Sequence, residues 1–307
     1  MPLTLSGGES PASTVSSAPA TVGVGIEPLG VAGDSTTGTV YVANSGDSTV
    51  SVIDGTTDAV TATVSVGSQP AGVAVDPTTH TIYVTNEGDN TVSVIDGTTD
   101  AVTATVSVGS EPLGLAVDPT TGAVYVANSG DNTVSVIDRT TDAVTATVGV
   151  GNEPYGVGAD PTTHVIYVAN ADSNTVSVID AATDAVTDTV GVGGRPVGLA
   201  VDPTTDTIYA TNYNSDTLSV IDGDTEAVTA TVGVGSQPAG VAVDPANHVA
   251  YVANYNGNSL SVIDGTDAVV STIPVGTAPY GVGTDPDTHA VLVSNFGGNT
   301  VSVVASR

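Results

Sequence analysis

The sequence has no cysteine, no tryptophan and no lysine, a single phenylalanine and a single methionine, and its only basic side chains besides four histidines are Arg139, Arg195 and Arg307. Absence of cysteine excludes disulfides, thiolate metal sites and thiol nucleophiles, and it leaves the compartment undecided. Absence of lysine excludes a Schiff base formed by the protein. Against three arginines stand 33 aspartates and glutamates, a formal charge of −30. Affinity for phosphate backbones comes mainly from Lys and Arg displacing counterions, so neither nucleic acid nor an anionic membrane is an expected partner. No run approaches the roughly 20 apolar residues that span a bilayer. The opening MPLTLSGGESPASTVS lacks the basic and apolar regions of a secretory signal. The expected location of the chain as written is the cytoplasm, or the cell surface if a leader has been trimmed.

What the sequence does have is Val, Thr and Ala in quantity, with 36 Gly and 17 Pro, the material of strands and turns. With large aromatics scarce, a core must be assembled from many small β-branched contacts between closely spaced sheets. Asn44, Asn86, Asn128, Asn170, Asn212, Asn254 and Asn295 recur every 42 residues, with one step of 41. Pro28, Pro70, Pro112, Pro154, Pro196, Pro238 and Pro279 keep the same phase. A period of about 40 to 45 residues holding four short strands is the mark of propeller blades. In one unit the expected strands are Ala71 to Val75 (A), Thr81 to Asn86 (B), Thr91 to Asp96 (C) and Ala101 to Val108 (D), separated by turns such as Asp76-Pro77-Thr78-Thr79. Gly72 and Ala74 suit the crowded axis.

The fold class expected is therefore all-β, a seven-bladed β-propeller with four antiparallel strands per blade. The last unit supplies A, B and C and then ends, while residues 17–24 align with a D strand preceding the first unit. The N-terminal strand should complete blade 7 and close the ring, which removes the exposed faces an open solenoid must cap. Residues 1–16 are expected to be a flexible segment and 17–307 one domain.

The recurring YVTN or YVAN, NTVSVID and DPTT elements, from residue 17 to residue 304, resemble the YVTN family of seven-bladed propellers of archaeal surface-layer and bacterial exported proteins. That resemblance implies the fold, and it implies a cell-surface or envelope interaction module as an alternative function. One bacterial relative of this type is linked to single-stranded DNA, a role that the dearth of basic residues here speaks against.

In a repeat protein the shared residues hold the scaffold, so a site is sought where repeats differ. Antiparallel connectivity places the D–A and B–C loops at one mouth of the ring. There the residue before each proline reads Glu27, Gln69, Glu111, Glu153, Arg195, Gln237 and Ala278, and the residue after it varies too, as in Leu29, Tyr155, Val197 and Tyr280. After the anchor asparagines stand Ser45, Glu87, Ser129, Ala171, Tyr213, Tyr255 and Phe296. All four tyrosines outside the YV framework fall in these loops with the only Phe, so an aromatic arc should face an acidic arc around one cation. Such walls with a few converging polar groups suit a small molecule. Glu27 and Glu153 are the expected acid–base catalysts, through desolvation against the rings. Tyr155, Arg195, Tyr213, Tyr255, Tyr280, Phe296, Glu111 and Glu87 are the expected substrate contacts, with Arg195 available for an anionic group.

His80, His164, His248 and His289 fall in A–B turns of separate blades at the other mouth, too dispersed to share a metal. The Gly-Asp-Asn loops lack the acidic ladder of a calcium loop. No metal and no cofactor are expected. The inventory fits cofactor-independent acid–base chemistry on a small aromatic or amine-bearing metabolite, such as a Pictet-Spengler-type condensation or a lyase reaction. The plant strictosidine synthase family performs that condensation on a propeller, an analogy of fold alone. The oligomeric state is left open, a monomer being compatible with a closed ring.

Overall fold

A computed structural model describes residues 19–285 and 288–304. Within them twenty-eight strands, β1 to β28 in chain order, form seven four-stranded antiparallel sheets. Blade 2 shows the pattern, with β6 Pro70–Asp76, β7 Thr81–Asn86, β8 Thr91–Asp96 and β9 Ala101–Ser107 running from axis to rim. The two middle strands match the expected bounds. The inner strand is longer by one residue at each end, and the outer one stops one residue earlier. The segment 1–16, Ser17, Ala18 and Arg307 lie outside the described residues.

The middle strands are buried on both faces because each sheet is packed between two others. The core is accordingly a set of wedges between blades: Tyr83, Val92, Val94 and Val106 of blade 2 meet Leu115, Val124, Val126 and Ile137 of blade 3. The framework tyrosines Tyr41, Tyr83, Tyr125 and Tyr167 fill these wedges with little or no exposure. Blade 7 is composite, as expected. Strands β26 Pro279–Thr284, β27 Val291–Asn295 and β28 Thr300–Val304 are completed by β1 Ala20–Gly23, with Ala20 opposite Val303 and Gly23 opposite Thr300. Val22 from β1 and Val301 and Leu292 from blade 7 then join Val31, Val40, Val42 and Ile53 of blade 1 in one buried cluster.

Around the axis the inner strands approach so closely that one position per blade must be glycine. A Cβ on Gly114 would lie 2.2 Å from the Tyr155 carbonyl oxygen of the next blade, and one on Gly198 would lie 2.3 Å from that of Ala239. Three blades add a polar tie where the YVAN alanine is replaced. Thr85 donates its hydroxyl to the Leu113 carbonyl at 2.6 Å while accepting from Gly72 N–H at 2.7 Å; Thr211 and Ser294 do the same toward Ala239 and Leu29. Thr85→Val keeps the shape and strands the Leu113 carbonyl. It is expected to lower unfolding free energy by about 1–2 kcal/mol in chemical denaturation, and an unchanged midpoint would show the tie to be idle.

The far mouth is held by a second device. The aspartate ending each inner strand is buried, its Oδ1 taken by the turn that follows, as Asp34 accepts from Thr36 N–H at 2.9 Å. At five of the interblade seams its Oδ2 meets an imidazole or guanidinium of the next blade. His80 Nδ1 lies 2.9 Å from Asp34, His164 3.2 Å from Asp118, His248 2.9 Å from Asp202 and His289 3.0 Å from Asp244. Between blades 2 and 3 the histidine position is Gly122, and Arg139 from the adjoining turn fills the space, donating to Asp76 at 2.8 Å. Burial alone would raise these carboxyls, but the threonine donors and the ring or guanidinium outweigh it and hold Asp34, Asp76, Asp118 and Asp202 below the ordinary aspartate range. The histidines read from sequence as dispersed turn residues are thus also latches between blades. Among the described residues no helix is long and apolar enough to cross a membrane.

Candidate functional site

The two loops that carry the variable positions are tied together in every blade. In blade 5, Tyr213 N–H donates to Arg195 O at 3.0 Å, and in blade 7 Phe296 N–H donates to Ala278 O at 3.0 Å. The residue before each proline is left-handed, with φ of 54° at Glu27, 53° at Glu111 and Glu153, and 54° at Arg195. Its N–H is claimed by the preceding blade: Asn299 for Glu27, Asn90 for Glu111, Asn132 for Glu153 and Asn174 for Arg195, at 2.8–3.0 Å. A left-handed residue with a Cβ is unfavourable by about 1 kcal/mol, and these bonds offset that while aiming the side chains over the mouth.

Six of the ten residues singled out by sequence gather around one cavity of about 380 Å³, lined by Tyr155, Arg195, Tyr213, Tyr255, Tyr280 and Phe296 together with Leu29 and Val197. Tyr255 is the hub of the aromatic arc. Its ring centre lies 6.3 Å from Tyr213, 6.4 Å from Phe296 and 6.2 Å from Tyr280, the last edge-on at 89°. Tyr213 donates its hydroxyl to Gln237 Oε1 at 3.1 Å.

Beneath the arc, Tyr155 of blade 4 and Tyr280 of blade 7 share a short hydroxyl–hydroxyl hydrogen bond across the ring axis. The same two tyrosines, with Leu29 and Val197, also line an adjoining axial cavity of about 200 Å³, bounded by the inner strands of all seven blades and by Glu87. Each ring retains some contact with the lumen while protein surrounds it on most sides. Burial raises both phenols, in Tyr280 well above the ordinary tyrosine value, so both stay protonated at neutral pH.

The carboxylates are distributed differently from expectation. Glu27 is exposed and does not line the cavity, and Glu111 is exposed as well. Glu153 is ion-paired: Arg195 Nη1 lies 3.0 Å from its Oε2 and 3.5 Å from Asp172 Oδ1. The guanidinium at the mouth is therefore committed to two carboxylates. Glu87, read from sequence as a substrate contact, is the partly buried carboxylate inside the channel. Burial first, and Glu111 second, push its carboxyl above the ordinary glutamate value. Tyr155 feels the fields of both Glu87 and Arg195, so acid, crossbar and guanidinium form one electrostatically connected set. Leu29 and Val197 could have been found from the variability after the prolines. Gln237, which holds Tyr213, stands in the variable series before the prolines, while Asp172, which holds Arg195, carried no signal of its own. Among the described residues no group of three or more His, Asp or Glu side chains is disposed to hold a metal ion.

Fold and mouth together define a seven-bladed propeller whose ring is closed by its N-terminal strand and whose framework is separate from a variable aromatic mouth. The family of YNCE-like beta-propellers matches residues 13–122 and 111–205, and the chain belongs to it, consistent with the YVTN-type repeats. Among solved structures it is similar to a chain of Kuenenia stuttgartiensis hydrazine synthase, with a TM-score of 0.81 at 20% identity over 97% of this chain and 99% of that one. At that identity the likeness is one of fold. No curated protein matches the sequence.

Proposed function

We propose that the mouth binds a small amine-bearing aromatic molecule and performs cofactor-independent acid–base chemistry on it. The observation that carries this reading is the clustering of five aromatic rings around one cavity whose guanidinium is already paired with Glu153 and Asp172. Ring faces attract an ammonium group, the net charge of −30 draws cations toward the protein, and a neutralised Arg195 gives an anion little hold. Glu87, with its carboxyl raised by burial, is the proposed acid and base. In a Pictet-Spengler-type condensation it would protonate the departing oxygen as amine and carbonyl join with loss of water, then take the proton released when the aromatic ring closes on the iminium. A lyase step would use the same carboxyl.

Calorimetric titration with arylethylamines and with aryl carboxylates of equal size tests the binding. Amines should bind in the micromolar to millimolar range usual for enzyme substrates, and Tyr255→Ala should weaken them about tenfold. Carboxylates binding as well as amines would refute the reading. For the chemistry, protein supplied with an arylethylamine and an aldehyde should form a product of the combined mass less water, and Glu87→Gln should slow it at least ~100-fold with binding retained. Undiminished turnover would remove Glu87 from the mechanism. The alternative, an interaction module of the surface-layer type, draws on the lysine-free acidic exterior; failure of every amine to bind, with native protein in the wall or medium fraction, would favour it.

A further inference from the structure

The far-mouth latch breaks its own rule between blades 4 and 5. Between blades 1 and 2, 2 and 3, 3 and 4, 5 and 6, and 6 and 7 the buried aspartate meets His80, Arg139, His164, His248 or His289. At the seam between blades 4 and 5 the residue at the histidine position is Asp206, so Asp160 at the end of β14 (Pro154–Asp160) faces a second carboxylate.

Asp160 is 0% exposed; its Oδ1 is taken by Thr162 N–H and hydroxyl at 2.7 and 2.6 Å, while its Oδ2, the atom that at five other seams meets an imidazole or guanidinium, accepts no hydrogen bond among the described residues. Asp206 Oδ1 is in the same position, buried and without a partner. The groups around the pair add no positive charge. Asp206 lies against Gly223 in the turn that follows β20 (Thr217–Asp222), where a Cβ would touch its carboxylate at 2.0 Å, and Asp222 and Asp224 flank that glycine. From blade 4, Tyr167 is within the field of Asp206, Asp160, Glu226 and Asp222. Two carboxylates facing each other in a buried seam repel unless something positive stands between them.

We infer that the seam between blades 4 and 5 is a binding site for a hard cation, Ca²⁺ in chemical class, bridging Asp160 and Asp206 where five other seams place an imidazole or guanidinium. Oxygen-only donors suit such an ion. With two protein carboxylates and water completing the shell, the affinity belongs to the weak end of calcium modules, on the order of 10⁻⁴–10⁻³ M. The ion would act as a structural rivet, far from the aromatic mouth and independent of what that mouth binds.

Thermal unfolding of the whole chain at pH 7 and fixed ionic strength, with and without a few millimolar CaCl₂, tests the site. The wild type should gain about 2–4 °C. Asp206→His restores the latch and should raise the midpoint without calcium while abolishing the calcium response, and Asp206→Asn should abolish the response without depending on a histidine fitting the seam. A calcium response that survives in both variants would mean diffuse binding to the acidic surface and would overturn the inference. So would the absence of any response in the wild type; a midpoint that then rises from pH 7 to pH 5 in wild type but not in Asp206→Asn would show a shared proton holding the seam instead.

Discussion

A chain beginning at Val24 is expected to lose cooperative folding at ordinary temperatures. Deleting β1 removes the outer strand of blade 7, exposes the ladder edge of β28 along Thr300 to Val303, and takes Val22 out of the cluster that joins blade 7 to blade 1. The direct loss, a few ladder hydrogen bonds at about 1 kcal/mol each and one buried valine at about 1.5–3 kcal/mol, is on the order of 5 kcal/mol, comparable with the whole stability of many domains. The loss falls at the single seam where the two ends of the repeat array meet. Circular dichroism melts should show a lower, broadened transition, and a synthetic peptide spanning residues 17–24 added in trans should restore part of it. A truncated chain melting like the full one would show that the seven interblade wedges close the ring unaided.

Gly114→Ala is expected to be nearly as damaging, although it adds one methyl group. The new Cβ would lie 2.2 Å from the Tyr155 carbonyl oxygen, a distance no real contact shows, and the obstacle is backbone on both sides. Overpacking that displaces backbone costs roughly 3 kcal/mol or more. Because Tyr155 also carries the crossbar to Tyr280, the displacement should reach the mouth and weaken ligand binding with stability. The control lies in the same blade. Gly149 on the outer strand has nothing within 4 Å of the point a Cβ would occupy, and serine stands at the equivalent positions Ser65 and Ser107. Gly149→Ser should stay within about 0.5 kcal/mol of wild type in urea denaturation. Equal effects at the two glycines would contradict the argument from close approach.

The period and the turn residues made the fold legible, down to the bounds of Thr81–Asn86 and Thr91–Asp96, because blade packing repeats the same short-range rules seven times. Outer strands were over-extended by one residue, since AVTATVSV keeps its alternation past the point where the partner strand ends. The mouth was legible as a set of residues, because loop alternation follows from antiparallel connectivity alone. Its internal pairings were not. The Tyr155–Tyr280 bond depends on the ring's diameter, which no local pattern states. The pairing of Arg195 with Glu153 and Asp172 depends on neighbouring blades' loops leaning together, and it sets two carboxylates against the guanidinium that the sequence offers to an anionic group. Burial likewise depends on where a loop residue lands relative to the axis, which is why the shifted carboxyl is Glu87 and the exposed one is Glu27.

The left-handed residues at the mouth restrict what evolution can write there. At φ near +50° a β-branched side chain is strongly disfavoured, and among Glu27, Gln69, Glu111, Glu153, Arg195, Gln237 and Ala278 none is branched at Cβ. The alphabet open to these seven places thus excludes Val, Ile and Thr, the residues that build the strands elsewhere in the blades, and favours unbranched chains, long polar ones above all. The same backbone angle that holds the loops in place acts as a filter on mutation, keeping strand-forming residues out of the mouth and leaving its chemistry to drift among carboxylates, amides and guanidinium.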